Sequence, residues 1–175
     1  MLVSAVPLSS RVKMRGVLTI HVREVATGRV LRTIVKKNTI TFDAGNVMRS
    51  LIAQRVSDPA PAELQMGSMR FGISNTTPTR YDTNLLAEVP AVRKELTDVK
   101  KVSGVTGEIS FQSTMLSTEG NGSTFCEAAL FTRGTFWSDS VGGTLQMFSR
   151  QIHSNIAKTV AISLDYNWTL QFTTT

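Results

Sequence analysis

The chain has 175 residues, of which 41% are hydrophobic and 18% charged, which suits one folded domain with an appendage and excludes the low-apolar, high-charge regime of disorder. No apolar run approaches the roughly 18–20 residues of a membrane span, and the single cysteine, Cys126, excludes an intrachain disulfide and points to folding in a reducing compartment. The net charge of +6 is uneven: residues 1–40 hold eight Lys or Arg against one acid, Glu24, and the other 135 residues sum to −1.

Residues 1–15 lack a clean period and contain Pro7, Ser9 and Ser10. They read as an extended basic arm whose Arg11, Lys13 and Arg15 are expected to meet a neighbouring protein subunit. Met1 to Leu8 has no early Lys or Arg, so it does not read as a signal peptide. Nucleic acid is disfavoured as the arm's target because Phe, Tyr and Trp are absent from residues 1–40, leaving no aromatic to stack a base.

The single domain is expected over residues 16–175. It opens with β-branched runs at Gly16–Val25 and Arg29–Lys37. They flank Ala26-Thr27-Gly28, a hairpin signal because glycine takes positive φ freely. After a crossing segment, Asp43 stands at a helix N-cap, followed by Ala44, Val47, Met48, Leu51 and Ile52 at helical spacing. This predicts a helix over about 44–55, stopped by the Pro59/Pro61 loop.

Met66–Ser74 reads as a strand with Met69, Phe71 and Ile73 on one face. A turn-rich loop and a short turn around 84–88 lead to Pro90. Val92–Val102 carries six charges and reads as one edge strand. Val105–Met115 alternates and reads as half-buried. Thr124–Thr132 is more apolar and reads as central, and Leu145–Ile152 is a further strand. Trp137 stands in the Gly/Ser loop between the last two, either an interface anchor or a lid over the sheet. Thr159–Phe172 alternates apolar and polar residues seven times, a period-2 pattern no helix accommodates. Serine and threonine number 39, which fits hydroxyl-bearing strand faces better than helix interiors. The sum is a mainly β protein, an antiparallel β-sandwich of seven to eight strands with one helix.

The motif search yields little chemistry. His21 and His153 stand outside metal-ligand spacing of each other and of Cys126, and both read as surface histidines. Cys126, inside an apolar strand, reads as a small buried hydrophobe. No nucleophile elbow, phosphate loop or dinucleotide glycine motif is present. Glu119, Glu127 and Asp139 are scattered acids that only a fold could bring together. No catalytic, cofactor or metal residue is assigned, and the chain is not expected to be an enzyme.

The segment order carries a resemblance. Asn38-Thr39-Ile40-Thr41 precedes Asp43-Ala44-Gly45. Phe71-Gly72-Ile73-Ser74-Asn75-Thr76-Thr77-Pro78-Thr79 is followed by Asp82-Thr83-Asn84-Leu85 and Glu88. Glu119-Gly120-Asn121-Gly122, Cys126-Glu127-Ala128-Ala129-Leu130-Phe131, Phe148-Ser149-Arg150 and Trp168-Thr169-Leu170-Gln171-Phe172 complete the series. Over roughly residues 38–172 this resembles small tailed-bacteriophage virion proteins of the tail, collar, fibre or baseplate. "FCEAALF" departs from that pattern by lacking a glycine before Leu130. The resemblance implies a structural protein made in the host cytoplasm and placed in the virion. Its implied partners are other copies of itself and neighbouring virion proteins. A capsid decoration protein, or a carbohydrate- or receptor-binding module using Trp137, are the alternatives.

Overall fold

The computed structural model describes residues 12–45, 48, 66–101, 107–132 and 146–174. Nine strands occur among the described residues: β1 (Val12–Glu24), β2 (Val30–Ile40), β3 (Met66–Gly72), β4 (Lys94–Glu95), β5 (Asp98–Lys101), β6 (Glu108–Met115), β7 (Thr124–Thr132), β8 (Met147–Ala157) and β9 (Ile162–Thr174). They form one sheet in the order β4-β3-β7-β8-β2-β1-β9-β6-β5. Every pairing is antiparallel. The sheet curls into a half-barrel. The mainly β, antiparallel expectation is met. The seven or eight strands of a two-sheet sandwich are replaced by nine strands in a continuous sheet, because β2 pairs with β1 along its length and with β8 at Thr39 and Ile40.

Local sequence explains the spine. Gly28 sits at φ 70°, and its N–H donates to Glu24 O at 2.8 Å, closing the β1–β2 hairpin where the glycine was expected to turn. β1 and β9 pair from Val12↔Thr174 to Glu24↔Ile162. Among the described residues strand pairing reaches Val12, so Lys13 and Arg15 of the expected arm pair with β9; residues 1–11 of that arm lie outside the described residues. Leu18, Ile20 and Val22 lie opposite Trp168, Tyr166 and Leu164, and all six are buried on one face. Burying each such side chain contributes on the order of 1.5–3 kcal/mol.

The curl brings the β3–β7–β8 wing over the β1–β9 wing. Phe71 of β3 lies 4.5 Å from Tyr166 of β9, ring to ring, and meets Phe125 of β7 edge-on at 6.4 Å. Met69, Leu130 and Phe148 join the same core. β7 is buried on both faces, as its apolar composition predicts. On its outer side Ala129 and Phe131 pack with Leu85 and Met147 in a second, small cluster.

The charged segment 92–102 does not form one strand. Pro90–Val92 is a 3-10 turn that leaves Val92 buried. β4 and β5 follow, two residues apart in sequence and at opposite edges of the sheet. Between them Leu96 N–H donates to Gly67 O at 3.1 Å, and Thr97 N–H donates to Gln112 O at 2.8 Å. One short segment therefore straps both edges of the half-barrel. A strand confined to one edge would leave the other unpaired.

Helical conformation covers 42–45 and residue 48; the remainder of the helix predicted over 44–55 lies outside the described residues. Its cap is Thr41, not Asp43. The Thr41 hydroxyl accepts from Ala44 N–H at 3.4 Å, the N3 position a capping side chain satisfies. Ile73 leaves the strand and is half exposed, and Val160 lies in the turn before β9, fully outside the alternating core row.

Candidate functional site

The most concentrated chemistry lies on the outer face of β7 and β8, beneath the 73–88 loop. Glu127 and Arg150 project there from neighbouring strands, both with no solvent exposure. Arg150 Nε donates to Glu127 Oε1 at 2.6 Å, Nη1 donates to Asp82 Oδ2 at 2.6 Å, and Nη2 donates to Thr76 O at 3.1 Å. Glu127 also accepts from Leu86 N–H at 3.1 Å and Ala87 N–H at 3.5 Å. Asp82 accepts from the Thr79 N–H at 2.9 Å and hydroxyl at 2.7 Å.

Glu127 stands between Cys126 and Ala128 on β7 and Arg150 between Ser149 and Gln151 on β8, and the two buried charges neutralise one another. A fork with fixed donor directions suits this role better than an ammonium, because it serves a strand carboxylate, a loop carboxylate and a loop carbonyl at once. Burial raises the Asp82 carboxyl, but the Thr79 hydrogen bonds and the Arg150 guanidinium outweigh it and hold the carboxyl below its usual range. Gly72 is required beside the clamp: a Cβ there would collide with the Glu127 carboxylate and come within 2.7 Å of Ala87 O.

Two further ionic groups pin neighbouring loops. Glu88 pairs with Arg93 at 2.6 Å and with Arg70 at 3.5 Å, and the Arg70 guanidinium lies 4.7 Å over the Phe131 ring. Lys94 pairs with Glu119 at 2.7 Å. Burial raises the Glu119 carboxyl, but the Lys94 ammonium and the Leu116 N–H outweigh it and lower its pKa. Lys158 is buried and donates to Thr159 O, Ser117 O and Asn121 Oδ1. Burial lowers its pKa, partly opposed by Glu119.

The expected site residues scatter. Lys13 and Arg15 are exposed on β1, opposite Thr173 and Gln171. Arg11 and Trp137 lie outside the described residues. Glu119 and Glu127 each serve a separate cation, and Asp139 lies outside the described residues. His21 keeps a partly exposed place, its Nδ1 3.0 Å from Thr33 Oγ1. His153 is not a surface histidine at a strand end: β8 runs on to Ala157, and the ring is buried against Tyr166, 6.2 Å between centroids. Cys126 is a buried free thiol, raised by burial and by the Glu127 charge. Among the described residues no three His, Cys, Asp or Glu gather as metal ligands, and no helix is long and apolar enough to cross a membrane.

Sequence reasoning missed the Arg150–Glu127–Asp82 clamp. The available signal was a lone acid in the apolar run "TFCEAALFT" and a lone base in "MFSRQI", complementary single charges in two strands. Comparison of the chain with protein-family models, curated proteins and solved structures gives no match.

Proposed function

We propose that this chain is a structural protein of a tailed-bacteriophage virion, present in multiple copies in the tail, neck, collar or baseplate through protein–protein contacts. One observation carries the reading. The segments on which the resemblance rests supply the clamp and its surroundings: Thr76, Thr79, Asp82, Glu127 and Arg150 meet directly. Ser149 donates to Thr39 O at 2.7 Å, and Asn38 donates to Ser149. Motifs of this kind set a shape and leave no carboxylate of the clamp free for chemistry, which favours a building block over a catalyst. The two wings that meet at Phe71 and Tyr166 serve as the layers of a sandwich-like block. Lys13 and Arg15, exposed at the start of β1, belong with Arg11 to the contact surface.

The test is mass spectrometry with electron microscopy of purified particles. Symmetry-related copies of the chain in the tail apparatus are expected. A monomeric protein absent from particles overturns the reading. Copies spread over the capsid shell instead would assign the chain to decoration.

A further inference from the structure

The position of β2 in the sheet conceals an edge that is unpaired among the described residues. There, backbone pairing with β8 is confined to Thr39 and Ile40, and Val30–Lys37 pair on the β1 side only, with Leu31 skipped at a register shift. The side chains of this stretch are uncovered as well: residues 30–37 are exposed at every position except Ile34. Val35 is 59% exposed and Leu31 47%. β8 runs beside this stretch without a ladder to it: the Arg32 side chain donates to Ser154 Oγ at 2.5 Å and to the Asn155 backbone O at 3.4 Å. An unpaired edge of this length with β-branched side chains is a template for another strand.

Charge decides which strand. Arg29, Arg32, Lys36 and Lys37 are exposed along the edge, and no acid occurs between residues 25 and 42. Antiparallel pairing of two copies centred on Ile34 would set Arg32 of each against Lys36 of the other, and pairing centred on Thr33 would set Arg29 against Lys37. Like charges directly opposite destabilise a ladder, so the edge rejects itself. A strand with carboxylates alternating with small apolar residues satisfies both the backbone and the basic side chains. The lack of any aromatic residue in β1 and β2 argues for a strand over a nucleic acid.

We propose that Val30–Lys37 is a docking edge that adds an acidic β-strand from a neighbouring protein. The proposal deepens the virion reading and rests on it only for the source of that neighbour.

The test uses the full chain and a soluble nine-residue peptide, Glu-Val-Thr-Val-Glu-Val-Thr-Val-Glu, with titration followed by calorimetry and amide exchange. The expected result is saturable binding that slows exchange within residues 30–37. Binding should weaken at least tenfold in Lys36→Glu/Lys37→Glu, a pair with no hydrogen bond or ion pair among the described residues, whose thermal midpoint at pH 8, where His153 is neutral, should match the parent. The same peptide with Lys for Glu should bind that variant and not the parent. Absence of binding by the acidic peptide overturns the proposal. So does protection located elsewhere, or protection of residues 30–37 in the free chain as a dimer. A single-stranded oligonucleotide that binds as tightly and protects the same residues also overturns it, by showing phosphate contact in place of strand pairing. None of these outcomes bears on whether the chain occurs in particles, so the two readings fail separately.

Discussion

Arg150 and Glu127 form an ion pair at 2.6 Å with neither side chain touching solvent. Two charges out of water are costly to desolvate, and the cost is offset only when their remaining donors and acceptors are satisfied. Here they are: the guanidinium spends its other nitrogens on Asp82 and Thr76, and the carboxylate takes the Leu86 and Ala87 N–H groups. The pair therefore couples two strands to a loop that carries little hydrophobic burial of its own beyond Leu85.

Removing one partner strands the other. Arg150→Met should destabilise the chain by about 3–5 kcal/mol, because Glu127 is left charged and buried. Arg150→Lys should recover only part of this, since one ammonium cannot reach three separated acceptors. Arg150→Met with Glu127→Leu should cost less than the sum of the single changes. Chemical denaturation of the four proteins as a double-mutant cycle measures the coupling. Simple additivity would show that the pair contributes nothing beyond its parts.

His153 makes stability depend on pH. Its Nδ1 donates to Ser154 O at 2.9 Å, and Nε2 is buried without a partner. Burial, assisted by the positive charges of Arg32 and Lys36, depresses the pKa from 6.5 to about 4, against a raising effect of the Ser154 carbonyl. The unfolded chain therefore binds the proton first as pH falls. Stability is complete above about pH 6.5, declines towards pH 4 and has lost this contribution below it. The full swing corresponds to about 3 kcal/mol. Denaturation midpoints from pH 7 to pH 4.5 should fall in the parent and flatten in His153→Phe. An equal slope in both proteins would assign the dependence to other groups.

The Cys126 thiol reports on global opening. It is buried, and burial together with the Glu127 charge raises its pKa. Thiolate is the reactive form, so both effects protect it. At pH 8 alkylation by iodoacetamide should be slower than in the denatured chain by at least a hundredfold, and its rate should rise with urea in step with unfolding. Rapid alkylation of the native protein would mean that β7 is accessible without unfolding.

What the sequence makes legible is what is local. Alternation and the glycine turn at Gly28 need only neighbours within a few residues: the pattern over Thr159–Phe172 appears as β9 at Ile162–Thr174, three residues shorter at its start, and Gly28 turns the hairpin. The clamp joins residues 23 and 68 positions apart, and no period links such positions. His153 was misread because the length of β8 depends on β7 beside it: Thr124↔Ala157 and Phe125↔Ile156 extend the ladder past Ile152. The Thr41 cap was missed for a related reason, since its hydroxyl is fixed by the Met147 and Phe148 carbonyls across the sheet. A sandwich and a curled sheet share the same strands and alternation. They differ in whether one strand bridges the halves, which rests here on the two pairs Thr39↔Arg150 and Ile40↔Ser149.

The strap between the edges gives the last prediction. Leu96 and Thr97 are the residues where the chain passes from the β3 edge to the β6 edge, each giving its N–H to a different side. Leu96 is also half-buried against the core, and Ser113 Oγ lies 3.4 Å from Glu95 O. Leu96→Pro removes one donor and leaves Gly67 O unpaired, while Leu96→Ala keeps the donor and trims the packing. The proline variant should lose about 1–3 kcal/mol beyond the alanine variant. Amide exchange should then speed up first in β4 and β3, while the β1–β9 ladder stays protected, because those amides open only with the whole sheet. Equal acceleration in β3 and β9 would mean that the edges separate only when the molecule unfolds, and that the strap adds nothing the remaining ladders do not already hold.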